Sequence, residues 1–434
     1  MPISNLIKTT YKFRLYPSKQ QEQRLLWALN RCRFVYNYLL KKKTKEKLSR
    51  SELQALLPNL KKEFPELRRV HSKTIQYENY RLHSNIMALS RLKKNGKKVG
   101  RLRYKGKEWF KTFTYNQSGF RMIETEKRQK LLHLSKIGNI PIRKHREIKG
   151  NIKQITIKHH QSGKWYACIM TEYENNQLNK SKAEEGQKKS ERKIGIDMGI
   201  NNYAYDSDGV HFDNPKNLDS CLKKLSREQR RFSRKEKKSK NREKQRVRLA
   251  ITHEKIFNKR DDFLHKLSHH YADGYDFIAV EELSVKNMVK NRFLAKSIMD
   301  SAWSKFILML QYKAERAGSE VIKVSPKDTT QKCSRCGHKV KKSLSTRIHK
   351  CPICGLVIDR DYNAAINILK HGLEKSGLKR NEDKLEKLGQ GLPEFTPAQF
   401  SERKMRRLSA KRKVPVEIPV RESMNQEASD FSPR

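Results

Sequence analysis

Acidic residues are scarce in this chain. Asp and Glu number 46 against 98 Lys and Arg, and the formal net charge of +52 is spread along most of the 434 residues. Such a surface repels itself unless a polyanion neutralises it. Nucleic acid is the obvious polyanion, because each neutralised phosphate releases condensed counterions. Long apolar runs are also missing. No stretch approaches the ~20 apolar residues of a membrane-spanning helix, and residues 1–30 lack the apolar core and cleavage site of a secretory signal. A cytoplasmic protein with no membrane partner is the expectation. Cysteine is sparse outside one cluster: Cys32, Cys168 and Cys221 stand alone among apolar or helical neighbours and read as inert packing. No internal repeat of fixed period is present, and the length suits about two to four domains.

The patterned segments alternate between strand and helix. Tyr11, Phe13 and Leu15 alternate with Lys12 and Arg14, a strand that Pro17 stops. Ser18 and Gln21 then form a candidate capping box for a helix with Leu25, Leu29, Cys32, Tyr36 and Leu39 on one face. Helical pattern returns at 51–65 and 73–93, where Ile75, Leu82, Ile86 and Leu89 mark a core stripe. Residues 101–115 mix cations with Tyr104, Trp109, Phe110, Phe113 and Tyr115. That composition suits either phosphate contact with base stacking or a basic strand whose aromatics are core. Segments 152–160 and 164–174 read as a hairpin turning at Ser162 and Gly163, and the polar stretch 176–191 reads as a linker.

An α/β pattern follows the linker. KIGIDMGI is a short apolar strand broken by a carboxylate, with a second strand and a Ser207-Asp208-Gly209 turn behind it. Residues 216–260 are heavily basic and helical in tendency, a candidate nucleic-acid contact. The run YDFIAVEEL at 275–283 reads as a buried strand ending in acid. A helix over 299–317, a strand at 320–324 and a helix over 359–370 complete the alternation, and beyond 371 the chain reads as a disordered basic tail.

Three carboxylates stand at the ends of apolar elements: Asp197, Glu281 and Asp361. Acids at strand ends can converge on one edge of a sheet, where their oxygens suit Mg²⁺ or Mn²⁺, and two such ions can hydrolyse a phosphodiester. Taken singly, each acid also fits a cap or a solvated turn, and Glu282 and Asp359 are neighbouring alternatives. Cys333-x-x-Cys336 and Cys351-x-x-Cys354, with Gly337 and Gly355 after the pairs, have the spacing of a closed four-cysteine zinc site. His338 and His349 lie nearby, but four cysteines complete the coordination sphere without them. A closed sphere leaves no open position, so the expected role of zinc is structural.

GIDMG, VEEL and DRDYNAAINIL, in that order with CSRCG and CPICG before the third, resemble the three RuvC motifs and zinc ribbon of the TnpB (OrfB) family. That family comprises transposon-encoded relatives of type V CRISPR effector nucleases. The resemblance covers about residues 5–371, including YKFRLYPSKQQEQRLLWALNRCRFVYNYLL and LHLSKIGNIPIRKHREIKGNIKQITI. It implies an α/β multidomain protein with a RuvC-like nuclease domain of RNase H fold at 192–325 and 358–371, and an inserted four-cysteine zinc ribbon at 326–357. An N-terminal wedge β-barrel at 1–16 and 109–176 would be interrupted by a helical recognition domain at 17–108. A linker at 177–191 and the tail at 372–434 complete the division.

The implied catalytic and Mg²⁺-holding residues are Asp197, Glu281 and Asp361, with structural Zn²⁺ on Cys333, Cys336, Cys351 and Cys354. The implied activity is RNA-guided cleavage of double-stranded DNA beside a transposon-adjacent motif, by one protein per guide RNA made from the transposon end. Two alternatives are a guide-directed DNA-binding repressor without cleavage and a transposase proper; the presence of all three acids weighs against the first.

Overall fold

The computed structural model describes residues 6–126, 129–174, 192–343 and 346–377. The expected linker at 177–191 and the tail from 378 onward lie outside the described residues. Two compact units divide the chain, one built from 1–186 with 223–255 and the other from 187–222 with 256–434.

The first unit opens with β1 (Leu6–Leu15), whose alternation buries Tyr11, Phe13 and Leu15. Ser18 then caps α1 (Lys19–Glu46): its hydroxyl accepts from the Gln21 N–H, while the Gln21 side chain accepts from the Ser18 N–H. The expected face of α1, Leu25 through Leu39, is the buried one. Two more helices, α2 (Arg50–Glu63) and α3 (Ser72–Lys94), pack with it; α3 buries Ile75 and Leu82 and half-buries Ile86 and Leu89. Six strands follow: β2 (Thr112–Asn116), β3 (Phe120–Glu124), β4 (Lys130–Leu134), β5 (Gly138–Arg143), β6 (Asn151–His159) and β7 (Trp165–Glu174). With β1 they form an antiparallel sheet in the order β2-β6-β7-β1-β5-β4-β3. The sheet curls, since Tyr115 on β2 donates its hydroxyl to the Ser135 carbonyl beyond β4 at 2.8 Å. Helices and strands share one core, in which Tyr36 and Leu82 join Phe113, Ile155 and Trp165.

The second unit is built on β8 (Lys193–Met198), β9 (Asn202–Asp206), β10 (His211–Asp213), β11 (Phe277–Glu281) and β12 (Glu320–Val324), ordered β10-β9-β8-β11-β12. Strands β8, β11 and β12 run parallel, while β9 and β10 pair antiparallel. Helices α4 (Asn217–Ser233) and α5 (Lys240–Gly274) follow β10, their residues 223–255 being counted in the first unit. The basic run is helical, as its composition suggested, and is broken into two helices at 234–239, where Lys238 adopts a left-handed φ of 69°. After β11 come α6 (Val285–Met288), α7 (Ala295–Ser301) and α8 (Trp303–Ala317). The single helix expected over 299–317 is interrupted at Ala302, whose φ of 52° lets both Ile298 and Trp303 reach the same core.

A short hairpin, β13 (Ile348–Lys350) with β14 (Val357–Asp359), leads into α9 (Arg360–Lys375). This last helix runs beyond residue 370 because Leu373 is buried and Gly372 lies on β11, where an added Cβ would crowd Ala279 and Phe277. One face of the sheet, through Ile194, Ile196, Ile278 and Val280, packs with Leu264 and Tyr271 of α5 and Phe306 of α8. The opposite face, with Phe277, Ala279 and Gly195, carries α9. Gly195 is required by that approach: a Cβ there would collide with the Ala365 carbonyl oxygen and lie 2.6 Å from the Leu369 nitrogen.

Candidate active site and cysteine cluster

Strand alternation decides where the acids go. On β8, Asp197 shares the α9-facing side with Gly195, and on β11, Glu281 shares it with Phe277 and Ala279. The parallel register pairs Val280 with Ile196, so Glu281 and Asp197 are neighbours one step further along. Asp361 enters the same region from the first turn of α9. The structure therefore brings the three sequence-derived acids to one end of one sheet face.

Their electrostatics agree with that placement. Burial pushes the Asp197 carboxyl well above the usual range, the charges of Glu281 and Asp361 push it further, and Arg360 opposes them. Glu281, only 5% exposed, is raised by burial, and a hydrogen bond from Thr329 works in the other direction. Asp361 is flanked by two guanidiniums, Arg360 at 2.9 Å and Arg347 at 3.6 Å. The neighbouring acids differ in their surroundings. Glu282 is exposed. Asp359 caps α9, its Oδ1 accepting from the N–H of Asp361 at 2.8 Å and of Tyr362 at 3.1 Å.

The cysteines form the tighter group. Cys333, Cys336, Cys351 and Cys354 have all four sulfurs within 4.8 Å of one another, the only such metal-ligating set among the described residues. Cys333 and Cys354 are 3.6 Å apart and Cys336 and Cys351 3.5 Å; tetrahedral zinc with bonds of about 2.3 Å needs sulfurs about 3.8 Å apart. Each pair sits on a matched turn: Gly337 and Gly355 take φ of 77° and 69° and donate to the carbonyls of Cys333 and Cys351. The donor set and its spacing fit structural zinc. Neither histidine belongs to the set, and His349 is buried with its Nδ1 against the Lys342 ammonium.

Three side chains join the two sites. The Thr329 hydroxyl, itself buried, donates to Glu281 Oε1 at 2.6 Å. Asn367 of α9 donates to the carbonyls of Thr329 and Lys332, both at 2.8 Å. Asn363, one helical turn earlier, donates to Lys332 at 2.7 Å and accepts from the Ser334 N–H at 2.9 Å. The segment entering the cysteine cluster is thereby fastened to the helix that carries Asp361, and it holds Glu281 by a hydroxyl. Asn363 and Asn367, four residues apart within the otherwise apolar run NAAINIL, are the available sequence signal.

Comparison with known proteins adds a family context. Residues 169–292 match a family described as "Probable transposase", 303–368 one described as "Cas12f1-like, TNB domain" and 1–47 one described as "Helix-turn-helix domain". Across that last stretch the described residues hold β1 and α1, a strand and a single helix. A "Putative RNA-guided DNA endonuclease" of Streptomyces pristinaespiralis is 31% identical, over 85% of this chain and 90% of its own length. "Putative RNA-guided DNA endonuclease InsQ" of Escherichia coli K12 is 29% identical over 83% and 92%. "CRISPR-associated endodeoxyribonuclease Cas12f1" of Sulfoacidibacillus thermotolerans is 36% identical over 28% of this chain and 29% of its own. Among solved structures, a Cas12f1-sgRNA-target DNA complex aligns over 84% of this chain and 99% of its own, at 16% identity and a TM-score of 0.32. No helix among the described residues is long and apolar enough to cross a membrane.

Proposed function

Because the chain belongs to the TnpB (OrfB) family, we propose that it is an RNA-guided DNA endonuclease of a transposon, cutting double-stranded DNA beside a short transposon-adjacent motif. In this reading the curled sheet and its helices, residues 1–176, are the wedge and recognition domains. Residues 192–325 and 358–371 are a RuvC-like nuclease of RNase H fold, and 326–357 are its zinc ribbon. One observation carries the proposal: Asp197 and Glu281 end the adjacent strands β8 and β11 on the sheet face that α9 covers, and Asp361 stands in the first turn of α9.

Desolvated carboxylates that repel one another favour a divalent cation among them, and their oxygens are the donors Mg²⁺ or Mn²⁺ takes. Asp197, Glu281 and Asp361 would hold such a pair of ions, whose chemistry there would be to activate a water and to neutralise the leaving oxygen. The chain's own contribution is to hold the donors. Thr329 fixes one oxygen of Glu281, the Arg347 and Arg360 guanidiniums orient Asp361, and the backbone pairing of β8 with β11 sets Asp197 beside Glu281. Target choice falls to the guide RNA from the transposon end, so the protein needs positive charge more than base-reading side chains.

The test is to purify the protein from cells carrying its flanking DNA, sequence the RNA that accompanies it, and offer a matching plasmid with Mg²⁺ beside an Asp197→Ala control. Guide-matched cutting that the control lacks supports the proposal. Bound but uncut target across a library of adjacent motifs makes the protein a repressor, and joining of the DNA to a transposon end makes it a transposase.

A further inference from the structure

The aromatics of residues 101–115 fall into two sets. Phe110, Phe113 and Tyr115 belong to the core of the first unit. Tyr104 is 61% exposed and Trp109 85%. The backbone beneath the exposed pair is nevertheless clamped. Asn37 on α1 donates to the Lys105 carbonyl at 3.0 Å and accepts from the Lys105 N–H at 2.8 Å. The Gly106 carbonyl accepts from the N–H of Trp109 at 3.1 Å and of Phe110 at 3.2 Å. Phe110 is seated in the core with the Arg81 guanidinium over its ring. Tyr104 and Trp109 thus flank an anchored turn that presents their rings to solvent.

The ground around them is positive. Residues 101–111 hold Arg101, Arg103, Lys105, Lys107 and Lys111 against one carboxylate, Glu108, which Lys111 already pairs at 3.5 Å. The first turns of α5 lie close enough that Lys107 and Lys111 act on Glu243, and Glu108 on Arg246. Leaving a tryptophan bare forfeits the burial that usually places this residue in a core. Its surface is the kind that a partner covers.

We propose that Tyr104 and Trp109 form a stacking platform for unpaired nucleotides of RNA, with the cations of the same turn holding the flanking phosphates. Every base offers a π face, so such a platform tolerates any sequence, and duplex bases would hide those faces in their own stack. The choice of RNA over DNA rests on the function proposed above. A bare platform needs a resident cover, and the guide is the nucleic acid carried before any target is met.

The experiment uses the full chain, freed of nucleic acid in high salt and titrated with an unstructured RNA strand, the same sequence as a DNA strand, and the duplex. Trp109→Ala is expected to weaken RNA-strand binding about tenfold to a hundredfold, the worth of one stacked base, with an unchanged melting profile. The salt slope should stay as it was, because no phosphate contact is lost. Lys107→Ala should lower that slope by roughly one phosphate's share. Trp109→Phe keeps a ring and most of the affinity while removing the tryptophan emission that RNA quenches.

Equal RNA affinity in the wild type and Trp109→Ala would overturn the proposal. So would a loss confined to the DNA strand, or one equal for the duplex. Cleavage of the guide-matched plasmid is scored separately. A chain that cuts but whose RNA binding ignores Trp109 sinks the platform alone, and a chain whose Trp109 emission RNA quenches but which cuts nothing sinks the nuclease reading alone.

Discussion

A hydroxyl 48 positions away in sequence stabilises the charged form of Glu281. Replacing Thr329 by Val removes the donor and keeps the shape, so a buried carboxylate loses a hydrogen bond of the stronger, charge-assisted kind. The Mg²⁺ needed for half-maximal cleavage should rise by roughly tenfold, while binding of guide and target stays as in the wild type. Thr329→Ser, which keeps the hydroxyl, should behave much like the wild type; a metal titration of the three proteins decides it.

Glu78 offers a residue-scale test unconnected with cleavage. Its side chain is fully buried on α3, neither oxygen has a hydrogen bond, and burial pushes its carboxyl up to about 8 against the pull of Arg81. The folded chain therefore holds a proton that the unfolded chain releases near pH 4.3. Stability from this group is complete below that pH and is lost as pH climbs through about 8. Glu78→Gln should flatten the loss, its melting midpoint gaining on the wild type by a few degrees between pH 5 and 9. Parallel slopes in the two proteins would refute the assignment.

Elements were legible where one local rule governs them. The capping box at Ser18, the alternation in β1 and the apolar runs of β8 and β11 each depend on a few adjacent residues, and each stands where the sequence puts it. The cysteine spacing was legible for the same reason. What sequence left open depends on distant partners: which aromatics of 101–115 enter the core, that Ala302 breaks a helix to bury Trp303, and that Asn363 and Asn367 fasten the cysteine-bearing segment to α9.

Two tests follow at this scale. Gly195→Ala drives a methyl into the α9 backbone, which cannot yield without moving Asp361, and should cost about 3 kcal/mol. Gly100→Ala, in open space without a positive φ, should leave the unfolding midpoint unchanged. Stripping zinc with a chelator should loosen residues 326–357 and, through Thr329, the hold on Glu281. Metal analysis, protease sensitivity of that segment and the cleavage rate should change together and recover when zinc is returned. Zinc loss with an unchanged cleavage rate would show that the asparagine fastenings suffice by themselves.

At the scale of the whole molecule, a net charge of +52 acts with opposite signs on the two equilibria that matter. Free of nucleic acid, the chain is pushed apart by its own cations, and salt screens that repulsion over a Debye length of about 8–10 Å at physiological strength. Bound to RNA, the same cations have already displaced counterions from the strand, and added salt reverses that gain. The melting midpoint of the free chain should therefore rise between 50 and 200 mM salt while its affinity for an RNA strand falls, by about three-hundredfold or more if some six to ten phosphates are engaged. Calorimetry of the free protein and binding isotherms across that range check both halves. A free chain indifferent to salt would mean that its cations are already neutralised internally, and with 46 carboxylates for 98 cations that outcome would require another bound polyanion.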